Sequence, residues 1–181
     1  MSTGSQPIVL SAAEPAFATL TQPFVQMCCE AAAYCFEANG HLSPARVRLL
    51  GADRPAERIE WRRPTSHAVA TYKDHDFAVE HGAYAVAIAL LHREYGFGSI
   101  ARARKGKHYD FWIKKPGAGY HFGGERSLRV EVSGIFCGSG RVNGRLRAKL
   151  RQMARQSVPL AGLAMVAEFG SPLVASGKVE N

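Results

Sequence analysis

Apolar positions along the chain fall into two rhythms, and together they predict a mixed α and β protein. Phe24–Ala38 reads as a helix stopped by Asn39-Gly40. In the next helix Val79, Ala83, Val86, Ala87, Leu90 and Leu91 follow the 3.6 period; Asp74 or Asp76 can cap its start, and it runs to about Tyr95 before G-F-G. A third helix is expected over Arg141–Gln156, with Val142, Leu146, Leu150 and Met153 on its core face. Shorter β-type runs cover Arg46–Leu50, Arg58–Trp61, Ser99–Ala103, Tyr109–Ile113, Leu128–Ser133 and Leu163–Phe169, the first two joined by the turn sequence G-A-D-R-P. Residues 1–22 read as a loose lead-in, and a polar tail with Pro172 and Gly177 is expected after Phe169.

From residue 76 the expected order is α-β-β-β-α-β. The expected fold class is α+β or α/β, with a mixed central sheet. Residues 1–72 would form an arm, helix and β-hairpin extension, 73–175 the core, and 176–181 a tail.

Composition narrows the class. A chain of 181 residues, 46% hydrophobic and 21% charged, has the makeup of a water-soluble globular domain. No apolar run approaches the roughly 20 residues of a membrane span, and M-S-T-G-S-Q-P lacks the features of a signal peptide. A cytoplasmic location is the expectation. Cys28, Cys29 and Cys35 share one predicted helix and Cys137 stands apart, so core packing is expected rather than a metal or disulfide framework.

Charge changes the picture more. Between Arg93 and Gln156 there are 15 Lys/Arg against Glu94, Asp110, Glu125 and Glu131, a net of +11. The whole chain carries +8, so the remainder carries −3. A basic character confined to one segment points to a polyanion, nucleic acid first, with a solvated basic face as the plainer reading.

That segment also holds two carboxylates inside β-type runs, Asp110 and Glu131. A buried carboxylate is costly unless a cation or an ion pair meets it. Glu131 alternates with Val130 and Val132 and could pair with Arg145; Asp110 could cap a turn. Glu80 lies in line with Ala83, Ala87 and Leu91, where it either faces the packing side or only complements the helix dipole. Lys149 falls within about 20° of Val142 on an ideal helix, so it either runs out along the edge or points into a site. His108 and His121 have no spacing that defines a metal site.

The order α-β-β-β-α-β, with Asp110 on one strand and Glu131-Val132-Ser133 on the next, resembles the PD-(D/E)xK, or restriction-endonuclease-like, superfamily. The segment is also similar to small uncharacterised bacterial proteins with a K-G-x-x-x-D-[YF]-W core and an E-V-S-G strand. The first resemblance implies a metal-dependent nuclease-like domain that binds, and can hydrolyse, nucleic-acid phosphodiesters. It implies Glu80, Asp110, Glu131 and Lys149 as catalytic residues, Lys149 standing in for the lysine that Ser133 replaces. It further implies Mg²⁺ or Mn²⁺ on Asp110, Glu131 and the Val132 carbonyl. Arg102, Arg104, Lys105, Lys107, Arg145 and Gln152 would hold the nucleic acid, DNA rather than RNA. Ser133 in the lysine position favours the alternative, a non-catalytic nucleic-acid- or protein-binding subunit of a bacterial defence or processing complex, joined by a partner protein or a second copy.

Overall fold

In the first hairpin alternation assigns the faces. Strand β2 (Ala45–Leu50) turns Ala45 and Val47 inward and Arg46 and Arg48 outward; β3 (Ala56–Trp61) turns Glu57, Ile59 and Trp61 inward. The two pair antiparallel, as the turn sequence predicts. The computed structural model describes residues 6–11, 13–104, 106–117, 122, 127–156 and 160–179.

The remaining strands are β1 (Ile8–Leu10), β4 (Ser99–Arg102), β5 (Phe111–Lys114), β6 (Ser127–Ile135), β7 (Gly162–Glu168) and β8 (Leu173–Val179). All belong to one mixed sheet of eight strands in the order β1-β3-β2-β8-β7-β6-β5-β4, curled into a half-barrel. The restriction-endonuclease-like core is therefore corrected. The expected element order is present, but β7 is not the margin of a small sheet. Its far side pairs antiparallel with β8, and β8 carries β2 in parallel, which ties the first hairpin into the same sheet.

The polar tail expected after Phe169 is this central strand. Leu173, Val174 and Ala175 are buried, while Ser176, Gly177 and Lys178 disguise the run. The expected lead-in likewise contains β1, parallel to β3.

Four helices among the described residues cover the sheet: α1 (Gln22–Ala38), α2 (Ser66–Thr71), α3 (His75–Tyr95) and α4 (Val142–Ala154). Asp74 caps α3 by accepting from the N–H groups of Asp76 and Phe77 at 3.0 and 3.3 Å, and Gly96 ends it in the left-handed conformation. α3 packs on β6 and β7, and α1 covers it from outside, which buries α3 on nearly every side. Small residues permit this. A Cβ on Gly82 would lie 3.0 Å from the backbone of Ala32 in α1. α4 lies against the opposite face, on β7 and β8.

Strand β6 sends its side chains to both layers. Val130 and Val132 enter the α1/α3 core, whereas Glu131, Ser133 and Ile135 meet α4. At the β4 margin, Thr19 Oγ1 accepts from the Ile100 N–H at 2.8 Å and donates to the Ile100 carbonyl at 2.7 Å. One side chain thus occupies the edge positions a further strand would use. No helix among the described residues is long and apolar enough to cross a membrane.

Candidate functional site

The site forms where β5 parts from β6. Phe111 is registered on Val130, yet the Asp110 N–H also bonds the Val130 carbonyl at 2.8 Å. Two residues of one chain thus oppose a single residue of the other, the arrangement of a β-bulge. The bulge brings Asp110 to the same aromatic ring as Phe111. The Tyr84 hydroxyl of α3 lies 3.0 Å from Asp110 Oδ1, and the Tyr84 and Phe111 rings meet edge to face at 5.0 Å. Beyond the fork Asp110 Oδ2 accepts the Val132 N–H at 2.8 Å, satisfying a backbone donor of β6.

Three elements complete the cleft. Glu80, one turn before Tyr84 on α3, receives the Tyr84 hydroxyl at 2.8 Å. That hydroxyl has one proton and two carboxylates beside it, so it serves them in turn. Burial, then Asp110, push the Tyr84 phenol above its usual range, and it stays protonated. From β4, Arg102 reaches Asp110 Oδ1 at 3.7 Å and lies over the Tyr84 and Phe111 rings at 4.7 and 4.8 Å. From α4, Lys149 Nζ meets Glu131 Oε1 at 2.5 Å, and Arg145 Nη1 donates to Ser133 Oγ at 3.1 Å.

Glu131 is the most perturbed carboxyl of the group. It is buried, and its pKa is held up at about 7, first by burial and then by the Asp110 carboxylate, against the opposing pull of Lys149. Its surroundings therefore favour the protonated form more than those of an ordinary carboxyl.

The structure brings Glu80, Asp110, Glu131, Lys149, Arg145 and Val132 to the wall of one cleft of about 280 Å³. Arg102 and Arg104 line an adjoining depression that shares Glu80, Asp110 and Glu131. Gln152 is separate, in a hollow with His108, Arg151 and Arg155. Lys107 is exposed on the turn before β5. Lys105 and His121 lie outside the described residues. The sequence reading passed over Tyr84, Arg102 as a partner of Asp110, and Arg129, which is fully buried and donates to the Leu160 carbonyl and to Gln156. For Tyr84 the signal was its position, i+4 from Glu80 on the same helix face.

Among the described residues no group of three or more His, Cys, Asp or Glu side chains is arranged to hold a metal ion. Protein hydrogens already engage both Asp110 oxygens and Glu131 Oε1. No protein-family model, curated protein or solved structure matches the chain. With the sheet architecture, these findings overturn the reading as a metal-dependent nuclease-like domain of the PD-(D/E)xK superfamily. The alternative of a nuclease-like binding subunit falls with it, because neither the fold nor any relative supports that role.

Proposed function

We propose that the chain is an acid–base enzyme whose cleft takes a small anionic substrate, with Glu131 moving the proton. One observation carries the reading: a buried carboxyl, with a second carboxylate beside it that raises its pKa, opens into a polar cleft with an ammonium group bonded to it. A group that titrates near the working pH is the most effective proton carrier, and such perturbation concentrates at reactive sites. Deprotonated Glu131 acts as the general base. Lys149, beside it, stabilises negative charge as it develops on the substrate.

Arg145 and Arg102 flank the acids from α4 and β4 and favour an anionic group at the mouth. At about 280 Å³ the cleft lies near the lower end of ligand-sized sites, roughly 300–1,000 Å³. Tyr84 and Asp110 act as positioning residues: Tyr84 links Glu80 to Asp110, and the Asp110 carboxylate adds to burial in favouring protonated Glu131. Hydrolysis and elimination are the reaction classes that need this pairing of proton transfer with a stabilised anion.

The test is turnover of phosphate, sulfate and carboxylate esters and of 2-hydroxy and phospho acids across pH 5–9, with and without Mg²⁺. Activity on one class should rise through about pH 7 and fall at least about 100-fold in Glu131→Gln, the scale of one general base. Activity in this panel that survives Glu131→Gln would end the proposal. Competition by short oligonucleotides would extend the ligand class to the polyanion that the basic segment suggests.

A further inference from the structure

Far from that cleft, Glu57 breaks the alternation of β3. It occupies an inward position in register with Ile59 and Trp61, and it is as buried as they are. A carboxylate there is costly unless a cation meets it. Arg54 meets it, Nη1 to Oε1 at 2.7 Å, from a side chain that is itself 56% exposed. Beside the pair is a cavity of about 140 Å³ between the β2–β3 turn, the last turns of α3, and strands β7 and β8. Its inner wall is apolar, from Leu49, Leu90, Met165 and Val174; its mouth carries Asp53, Glu94 and Arg93 around the Arg54–Glu57 pair. The Arg93 guanidinium is engaged outward, donating to the Gln6 carbonyl at 3.1 Å.

We infer that this cavity is a second binding site, for a small organic cation with an apolar body, and that Arg54 occupies the cation's place on Glu57 when no ligand is present. Size fixes the scale of the ligand. A void of about 150 Å³ admits benzene, so a ligand of about six heavy atoms fits. Chemistry fixes the polarity. The walls are hydrocarbon, the buried charged group is a carboxylate, and acids outnumber bases around the mouth. A primary ammonium or guanidinium would bond Glu57 while its alkyl chain lies against Leu90 and Met165. Arg54, mostly in water and tethered three residues away, can swing out without unpacking any core residue. The site lies about 20 Å along α3 from Glu80 and shares no lining residue with the acid cleft.

The experiment follows the Met165 methyl group by ¹³C NMR while n-butylamine, n-butanol or pentanoate is added. In the wild-type chain n-butylamine should shift that signal saturably and bind about tenfold more tightly than n-butanol, the difference expected of one charge-assisted hydrogen bond. Pentanoate should bind least. Arg54→Ala should tighten n-butylamine at least about threefold by removing the internal competitor, and Glu57→Gln should abolish the preference for the amine. Equal binding of amine and alcohol would overturn the proposal and leave an apolar void. So would weaker amine binding in Arg54→Ala, or no saturable shift in any variant. Should Glu57→Gln fail to fold, the amine–alcohol comparison and Arg54→Ala decide the matter alone.

Discussion

Lys149 Nζ, on α4, bonds Glu131 Oε1, on β6, at 2.5 Å, and this contact joins the α4 layer to the fork in the sheet. Its ammonium lowers the Glu131 pKa that burial and Asp110 raise. Lys149→Met should therefore move Glu131 titration above about 7, read from the ¹³C shift of its side-chain carboxyl. Removing one partner of a buried pair leaves a stranded charge. Glu131 escapes by taking a proton, so the stability loss should be about 1–3 kcal/mol at pH 8 and smaller at pH 6.

Glu131 also sets a pH dependence of stability. Its folded pKa is raised from 4.5 to about 7, so in that window the folded chain holds a proton that the unfolded chain has released. Its contribution is complete below 4.5 and is lost as the pH rises through about 7. Denaturant midpoints measured at both ends of the window should show a fall of roughly 1–3 kcal/mol from this group, and Glu131→Gln should remove that fall.

At the β4 margin the prediction concerns association. Thr19→Val keeps the shape but loses both bonds to Ile100. We expect a loss of about 1–3 kcal/mol and, by sedimentation velocity, concentration-dependent self-association absent from the wild type, because the strand edge is then open to another chain.

Close packing of α3 on β6 gives a further test. A Cβ on Gly134 would come within 2.5 Å of the Val79 carbonyl oxygen, so backbone must move. Gly134→Ala should cost about 2–3 kcal/mol, at the strained end of overpacking effects. A Cβ on Gly144, inside α4, meets nothing within 4 Å. Gly144→Ala should raise stability by about 0.5–1 kcal/mol, both changes read from denaturant midpoints.

Much of this arrangement was legible in the residues. The 3.6 period marked α3 and the core face of α4, the Asn39-Gly40 stop marked the end of α1, and short β-type runs marked six strands. Glu80, Asp110, Glu131 and Lys149 were singled out, and the structure places all four around one cleft. The sheet was not legible, for a physical reason. The order of elements constrains neighbours in sequence, while β8 lies between β7 and β2, a strand from the opposite end of the chain. Pairing over that separation leaves no local pattern, and β8 itself reads as polar at Ser176, Gly177 and Lys178. Start of β5 was misjudged similarly: Tyr109–Ile113 was expected and Phe111–Lys114 is observed, because a bulge adds a residue without altering the apolar pattern.

That extra residue makes the cleft a matter of counting. Asp110 reaches Tyr84 because the β5 chain carries one more residue than its partner at Val130. Substituting Asp110 would keep the spacing of the two strands and lose only the carboxylate, whereas deleting it would remove the extra residue and let the strands pair past the fork. The acid cluster is thus written in chain length as much as in side chains, and it would be more fragile to an indel than to a point change.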